Sequence, residues 1–412
     1  MFFSENKLVK KNKYLAWFFV GNSLNETLSA HSFIIDKISE NFEKIYIINL
    51  INLRFFSKSN NNFSFGMDDK LKLQKNIEVF CPLSIKEFKN FLNGKELIGI
   101  CNFGRNFIDL KIHLILKFSK IKLVQISNIG NIQWSHKFLK TSLWTKIKFR
   151  LYKYYSQKLV ILLSNLLLVP KIEIRFISNQ KIINNIKANF LKNFLYKIKM
   201  FYPKELIIVN SRAYDIYKIN KNEINENCIV LLDTNLKHVE DRMIGYIYTE
   251  EKAKQHYYYV TKLMNKLSEF YNKPIVVTIH PADNLELKKK VFPKFKVVKH
   301  ETTDNIYKAF LVVFFDSSAI VDAILLNKRI ITLTSKYVGN LTNSGSNKYH
   351  KEAGILQMNV EEELTFNKEK LLLDLNNAKK NYVSFINKYI APDGDNLGYK
   401  KIIETIKSRF FN

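Results

Sequence analysis

A histidine–proline pair follows a short apolar run in the second half of the chain. His280 and Pro281 come directly after residues 275–279, a run with the length and character of a strand buried on both faces. An imidazole at such a strand end could donate a proton to a leaving phosphate, or hydrogen-bond to it, and the proline would fix the turn. A histidine in this place can equally be structural.

Two adjacent serines occupy a comparable place farther along the chain. Ser317 and Ser318 follow the apolar run 310–315 together with Asp316, and residues 319–326 predict a helix. Two hydroxyls, the unpaired N–H groups of a helix start and the helix dipole would together attract an anion. Simple capping of the helix explains the same serines without any ligand.

The elements around these motifs predict a parallel sheet. Three apolar runs, 275–279, 310–315 and 329–334, alternate with polar or helical segments in a β-α-β-α-β pattern. Ligands of open parallel sheets bind where strands end at the carboxyl edge, so we expect the two motifs to meet there. Residues 336–350, rich in Gly, Asn and Ser, predict a loop, and helices are predicted in the remaining C-terminal part.

The first half of the chain shows the same alternation. Strands are predicted at 14–20, 44–49, 76–80, 96–100, 121–126 and 205–209, with helices at 23–40, 84–92 and 107–118. A length of 412 residues suits two domains. We therefore predict an α/β protein with two Rossmann-like domains, 1–215 and 225–412, whose parallel sheets face a cleft.

Gly21 and Asn22 follow the first predicted strand, where a tight turn could bring them to the cleft as ligand-binding residues. They could also form an ordinary turn. The pattern GxGxxG is absent, so a nicotinamide cofactor is not indicated. Three widely separated cysteines suggest neither a disulfide framework nor a zinc site.

The chain is strongly basic, with a net charge of +28, and part of this charge is concentrated in one segment. Residues 137–199 contain fourteen Lys or Arg and one acid, Glu173, interleaved with aromatic side chains. We interpret 134–202 as a basic, aromatic, helical insertion that lies on an anionic membrane surface. A nucleic-acid groove uses the same residue types, and a helical hairpin packed on its own domain would also show them. No run reaches the roughly 20 apolar residues of a transmembrane helix.

The two motifs together resemble those of the bacterial sialyltransferases and Kdo transferases. These are GT-B glycosyltransferases that use CMP-activated sugars in the biosynthesis of surface polysaccharides, including capsule and lipopolysaccharide. The resemblance implies that His280, Pro281, Ser317 and Ser318 bind the donor phosphate. It covers the C-terminal half through its motifs and the first half only through its architecture.

That group's inverting chemistry also implies a carboxylate base, often in an acidic-acidic-Gly pattern. The nearest match is Glu240-Asp241, followed by Arg242 where the glycine would stand. Asp233 is our first candidate for the catalytic base, because it follows the predicted strand 228–232 and would point into the cleft. Glu26 of the first domain is a further candidate.

The resemblance thus implies an inverting glycosyltransferase, and we expect it to need no metal or other cofactor. It would move a nonulosonic or Kdo-type acid from a CMP-sugar to a glycan or lipid-linked glycan at the inner face of the cytoplasmic membrane. No Asp-x-Asp pair or His/Cys cluster follows a predicted strand to hold a metal. The alternatives are a UDP-sugar, GDP-sugar or polyol-phosphate donor, a noncatalytic scaffold of the same fold, and a nucleic-acid-binding protein. The sequence contains no recognisable nucleic-acid-binding motif, which argues against the last of these alternatives.

Overall fold

Two parallel β-sheets organise the protein, one in each half of the chain. The computed structural model describes residues 13–20, 24–53, 74–101, 109–127, 170–188, 203–220, 225–236, 246–280, 283–362 and 367–411. Neighbouring strands are parallel in both sheets. The prediction of an α/β protein with two parallel-sheet domains is confirmed.

The first sheet has seven strands in the order β3-β2-β1-β4-β5-β6-β7. Its strands are β1 (Lys13–Phe19), β2 (Ile45–Asn49), β3 (Ile77–Phe80), β4 (Glu96–Cys101), β5 (Lys122–Ser127), β6 (Ile172–Ile177) and β7 (Glu205–Ile208). The helices of this half are α1 (Leu24–Ser39), α2 (Ile85–Leu92), α3 (Leu110–Phe118), α4 (Gln180–Lys187) and α5 (Arg212–Ile219). One apolar cluster packs on each face of the sheet, which explains why the central strands read as continuous apolar runs.

Strand β6 lies inside the segment that the sequence predicted to be a helical insertion. Its residues Ile172, Ile174 and Phe176 are buried, and they alternate with Glu173 and Arg175. A period of two residues is the signature of a strand, so the helical prediction is wrong for this stretch. Residues 134–169 and 189–202 of the predicted insertion lie outside the described part of the chain. Among the described helices, none combines the length and the apolar character needed to cross a bilayer.

The second sheet has six strands in the order β10-β9-β8-β11-β12-β13. Its strands are β8 (Cys228–Leu232), β9 (Ile275–Ile279), β10 (Lys296–Lys299), β11 (Ala309–Phe314), β12 (Arg329–Thr334) and β13 (Leu356–Asn359). The helices that follow in the chain are α6 (Glu250–Tyr271), α7 (Leu285–Val291), α8 (Thr302–Tyr307), α9 (Ile320–Leu325), α10 (Asn340–Ala353), α11 (Lys368–Ala378), α12 (Tyr382–Phe385) and α13 (Gly398–Phe410).

Helix α10 occupies most of the stretch that the sequence predicted to be a loop, and that prediction is wrong. Asn, Ser, Thr and Gly are poor helix formers, but Leu341, Tyr349 and Ala353 are buried on this helix. Tyr349 and Ala353 belong to a core cluster of the second domain. Tertiary packing of one apolar face therefore outweighs the weak local propensity.

The C-terminal helix α13 packs on the first sheet, although the chain reaches it from the second. Its residues Ile402, Ile403, Ile406 and Phe410 belong to the same core cluster as Leu15 of strand β1. Helix α13 thus links the second half of the chain to the first. The sequence-based domain limits, 1–215 and 225–412, stay a prediction.

A buried carboxylate holds the start of α13 against helix α5. Asp215 is fully buried, and its two carboxylate oxygens accept the backbone N–H groups of Gly398 at 2.7 Å and Tyr399 at 2.9 Å. Acceptors at a helix N-terminus satisfy N–H groups that have no partner inside the helix. Asp215 thus fastens the returning helix.

We expect Asp215→Ala to lower the free energy of unfolding by about 2–3 kcal/mol, because two buried N–H groups lose their acceptors. Urea denaturation measures this loss. The matched control is Asp395→Ala, since Asp395 bonds to Tyr214 and Lys218 of the same helix α5 but is 91% exposed. That change should leave stability almost unaltered. Equal stability of the two variants would contradict the assigned role of Asp215.

Candidate functional site

A cavity of about 370 Å³ opens at the carboxyl edge of the second sheet. Strands β9, β8 and β11 are neighbours in this sheet, and the residues that follow them line the cavity. The polar lining includes Asp233 after β8, His280 after β9, and Asp316, Ser317 and Ser318 after β11. The fold therefore brings together the histidine and the serines that the sequence singled out from two separate motifs.

The two serines precede the helix α9 rather than beginning it. Ser317 is half-buried and its hydroxyl accepts the backbone N–H of Ala319 at 3.3 Å, while Ser318 is exposed. The helix itself starts at Ile320, one residue later than predicted. Ser318 stands at the cavity with an accessible hydroxyl, as a group that binds an anion must.

Helix α10 supplies a wall of the cavity that the sequence did not predict. Leu341 and Thr342, in its first turn, line the cavity, and Gly339 precedes the helix without a side-chain cap. Farther along, Gly345 faces Asp316, and a Cβ atom at Gly345 would lie 2.3 Å from the carboxyl carbon of Asp316. This glycine lets the carboxylate of Asp316 fit closely against the helix. Gly345 is one of the residues whose types predicted a loop, and in the structure it allows this close contact between the helix and Asp316.

Several of the other predicted site residues have no described side chain. Gly21, Asn22 and Pro281 fall outside the described residues, as do Glu240 and Asp241. Glu26 belongs to helix α1, but its side chain is not among those described. Among the described residues, no three His, Cys, Asp or Glu side chains come together as metal ligands would. The roles predicted for these residues, and the independence of a metal, stay predictions.

Asp233 lies in the cavity wall, where it forms an ion pair with Lys288 of helix α7. Its side chain is 2% exposed. Burial alone would lower the pKa of Lys288, but the carboxylates of Asp233 and Asp283 and the Tyr257 hydroxyl raise it above its usual range. The pair therefore holds Lys288 protonated. Burial raises the pKa of Asp233, and the charge of Lys288 opposes that rise. The carboxylate is already bound to a buried ammonium group, which favours a structural role for Asp233, while its role as the base stays a prediction.

A buried histidine lies behind this ion pair. His256 of helix α6 is fully buried, its ring packs 4.9 Å from that of Phe315, and neither ring nitrogen has a hydrogen-bond partner among the described residues. Burial, followed by the nearby charge of Lys288, lowers the pKa of His256 to about 3. The imidazole is therefore neutral at physiological pH, and its burial without partners costs stability.

His256 should make the protein sensitive to acid. Its folded pKa of about 3 lies below the ordinary value of 6.5, so the unfolded chain binds this proton first and stability is lost as the pH falls below 6.5. Between pH 7 and pH 5 we expect His256→Leu to remove about 2 kcal/mol of this loss. Chemical denaturation of both proteins at the two pH values measures the difference. A loss of stability equal to that of the wild type would contradict the assignment.

The first domain brings a positive charge to the second. Arg212 follows strand β7 and begins helix α5, which packs against α9. Burial lowers the pKa of Arg212, opposed by the charge of Asp322 on α9. The pKa of Asp322 is raised by burial to about 6, and that of His31 on α1 is lowered to about 4 by burial and by Arg212. The sequence alone pointed to none of these three residues, because they meet only where α5 packs against both α9 and α1.

The chain resembles several solved structures over nearly its whole length. UGT2 of Phytolacca americana, complexed with UDP-2fluoro-glucose and pterostilbene, is 7% identical, with a TM-score of 0.54 over 97% of this chain and 99% of its own. UGT71G1 of Medicago truncatula, complexed with UDP-glucose, is 11% identical, with a TM-score of 0.51 over 96% and 98%. The UDP-GlcNAc 2-epimerase of Methanocaldococcus jannaschii is 15% identical, with a TM-score of 0.50 over 96% and 99%. No protein-family model and no curated protein sequence matches the chain.

Two parallel α/β domains, joined again by the C-terminal helix, define a GT-B fold, and the predicted fold class is confirmed. At this level of identity, the likeness establishes the fold alone.

Proposed function

We propose that the protein is a glycosyltransferase that uses a nucleotide-sugar, and that the cavity at the carboxyl edge of the second sheet holds the donor phosphate. The observation that carries this proposal is the meeting of His280, Ser317 and Ser318 around one cavity. A volume of about 370 Å³ falls within the range of roughly 300–1,000 Å³ that is typical of small-molecule sites.

The lining of the cavity suits a leaving phosphate. The imidazole of His280 and the hydroxyl of Ser318 can both donate hydrogen bonds to phosphate oxygens. The first turn of helix α10, at Leu341 and Thr342, adds the positive end of a helix dipole. These groups are fixed before the reaction, so they stabilise charge that develops on the phosphate in the transition state.

The proposed reaction is a direct displacement with inversion. A hydroxyl oxygen of the acceptor attacks the anomeric carbon of the donor and forms the new glycosidic bond. The bond between that carbon and the phosphate oxygen breaks, and its electron pair stays on the phosphate, which His280 protonates or hydrogen-bonds. A carboxylate takes the proton of the acceptor hydroxyl. No metal enters this scheme.

The base is proposed to be one of four carboxylates, Asp233, Glu26, Glu240 or Asp241. Asp233 lies in the cavity, but its pairing with Lys288 argues for a different role. Amide substitution of each residue in turn separates them, because only loss of the true base lowers turnover while leaving donor binding intact.

The donor we propose is a CMP-activated nonulosonic or Kdo-type acid, from the resemblance of the two motifs to sialyltransferases and Kdo transferases. A second candidate is a UDP-sugar, since the two plant structures of the same fold were solved with a UDP-sugar or its analogue. The acceptor in either case is a cell-surface glycan or its lipid-linked precursor.

Donor assays distinguish these candidates. The purified protein is incubated with cell-surface glycans and their lipid-linked precursors as acceptors and, in turn, with CMP-sialic acid, CMP-Kdo, UDP-glucose, UDP-GlcNAc and a GDP-sugar, and the released nucleotide is measured by mass spectrometry. Release of CMP alone supports the first candidate, and release of UDP alone supports the second. Conversion of UDP-GlcNAc to its 2-epimer without release of UDP, or no reaction with any donor, would contradict a glycosyltransferase.

We also propose that the enzyme works at the inner face of the cytoplasmic membrane, held by its basic segment 134–202. Eleven of the fourteen basic residues between 137 and 199 lie outside strand β6 and helix α4, and they suit anionic headgroups. We expect the protein to sediment with phosphatidylglycerol vesicles and to be released by high salt, but not to sediment with phosphatidylcholine. Equal binding to both vesicles, or salt-sensitive binding to random DNA alone, would contradict this localisation.

A further inference from the structure

A buried lysine joins the ends of two neighbouring strands below the cavity. Lys288 of helix α7 is 9% exposed. Its ammonium group contacts the carboxylate of Asp233 and the hydroxyl of Tyr257, and lies 3.5 Å from a carboxylate oxygen of Asp283. Asp233 and Tyr257 accept hydrogen bonds from the ammonium group, while Asp283 Oδ2 is held by the ion pair alone, since it has no hydrogen-bond partner among the described residues.

The two carboxylates belong to different strand ends. Asp233 directly follows β8, and its backbone N–H donates to the carbonyl of Thr278 on β9 at 2.9 Å. Asp283 lies in the turn after β9, and its backbone N–H donates to the carbonyl of His280 at 2.8 Å. Lys299 donates to the carbonyl of Asp283 at 3.0 Å. Lys288 thus connects the β8 end to the turn that carries His280.

This network is not what a stable core requires. A buried ion pair costs desolvation, and well-packed apolar residues of similar volume give equal or greater stability. The strands here are already covered by a large apolar cluster. His280 is exposed and follows the last buried residue of β9. We therefore look for the role of Lys288 in the position of this histidine rather than in the stability of the fold.

We propose that Lys288 is a positioning residue that, through Asp233 and Asp283, fixes the turn of His280 so that the imidazole faces the phosphate cavity. The expected effect on nucleotide binding rests on the proposed function. The expected effect on the position of the His280 side chain does not. Asp233 belongs to the same network and acts through Lys288.

The main test is the charge-balanced pair Asp233→Asn with Lys288→Met. Removal of both charges leaves neither position with an unpaired buried charge, but Asp283, 16% exposed, loses its lysine, so the protein should fold with a melting temperature moderately below that of the wild type. The imidazole signals of His280, assigned by their loss in His280→Ala, are followed by NMR. We expect them to shift or broaden in the pair, and the affinity for CMP to fall at least about tenfold. Wild-type signals and affinity in a folded pair would overturn the proposal.

A single substitution at Asp283 tests the same proposal if the double variant does not fold. Asp283→Asn removes only the link to the His280 turn and leaves the ion pair of Lys288 with Asp233 in place. We expect the same change of the His280 signals, with a smaller loss of CMP affinity. Unchanged signals in Asp283→Asn would also overturn the proposal.

The matched control is Lys289→Met, the next residue of helix α7, whose side chain is 50% exposed and pairs with Glu286 at the surface. It should leave both the His280 signals and the affinity unchanged, and a shift of these signals in this control would overturn the proposal. The two measurements separate the claims. If the wild type binds no nucleotide, the proposed function fails, while the His280 signals still test the role of Lys288.

Discussion

Substitution of His280 by alanine will lower sugar transfer at least about 100-fold while the protein stays folded, because the leaving phosphate loses a hydrogen-bond donor in the transition state. The side chain is exposed and belongs to none of the core clusters, so stability should hardly change. The turnover number with the donor found in the assays, together with the melting temperature, checks both parts of this expectation.

The matched control for this change is His300→Asn. His300 follows strand β10 at the same edge of the sheet and is exposed, but it does not line the cavity. Its φ of 68° suits asparagine better than alanine. Full activity of this control beside an inactive His280→Ala isolates the histidine of the cavity. Full activity of His280→Ala would refute its role.

Gly345→Ala will displace the Asp316 carboxylate from its place against helix α10. Propensity alone would make alanine about 1 kcal/mol better than glycine in a helix. The added Cβ, however, would lie 2.3 Å from the carboxyl carbon of Asp316 and 2.4 Å from one of its oxygens, which no packed structure tolerates. We expect a net loss of about 1–3 kcal/mol in stability. Because Asp316 lines the cavity, affinity for the nucleotide should fall as well.

Ser344→Ala is the control on the same helix. The Ser344 hydroxyl is buried without a hydrogen-bond partner among the described residues, so its removal should be neutral or slightly stabilising. Denaturation and CMP titration of both variants make the comparison. A Gly345→Ala protein that is more stable than the wild type and binds CMP equally well would show that Asp316 has room to move.

The sequence predicted the central strands well because their signal is local. The runs 275–279 and 329–334 coincide with β9 and β12, and the run 310–315 overlaps β11. Their carboxyl ends meet because neighbouring parallel strands end at one edge, so the convergence of His280 and Ser317 on a single cavity also followed from the pattern.

What the sequence did not predict depends on distant contacts. Helix α10 forms from poor helix formers because Leu341 and Tyr349 pack on the core. The ion pair of Lys288 with Asp233 joins residues that lie 55 positions apart. The return of α13 to the first sheet brings Gly398 into a hydrogen bond with Asp215, which lies more than 180 residues earlier in the chain. No periodicity or spacing in the sequence encodes such pairings.

The central claim is that His280, Ser317 and Ser318 hold the phosphate of a nucleotide. Isothermal titration of CMP and of cytidine, with UMP and uridine alongside, tests it most directly in the wild type and in His280→Ala. We predict that one of the two nucleotides binds the wild type at least about tenfold more tightly than its nucleoside, and that this ratio falls towards one in the variant. An equal preference for the phosphate in both proteins would contradict the account.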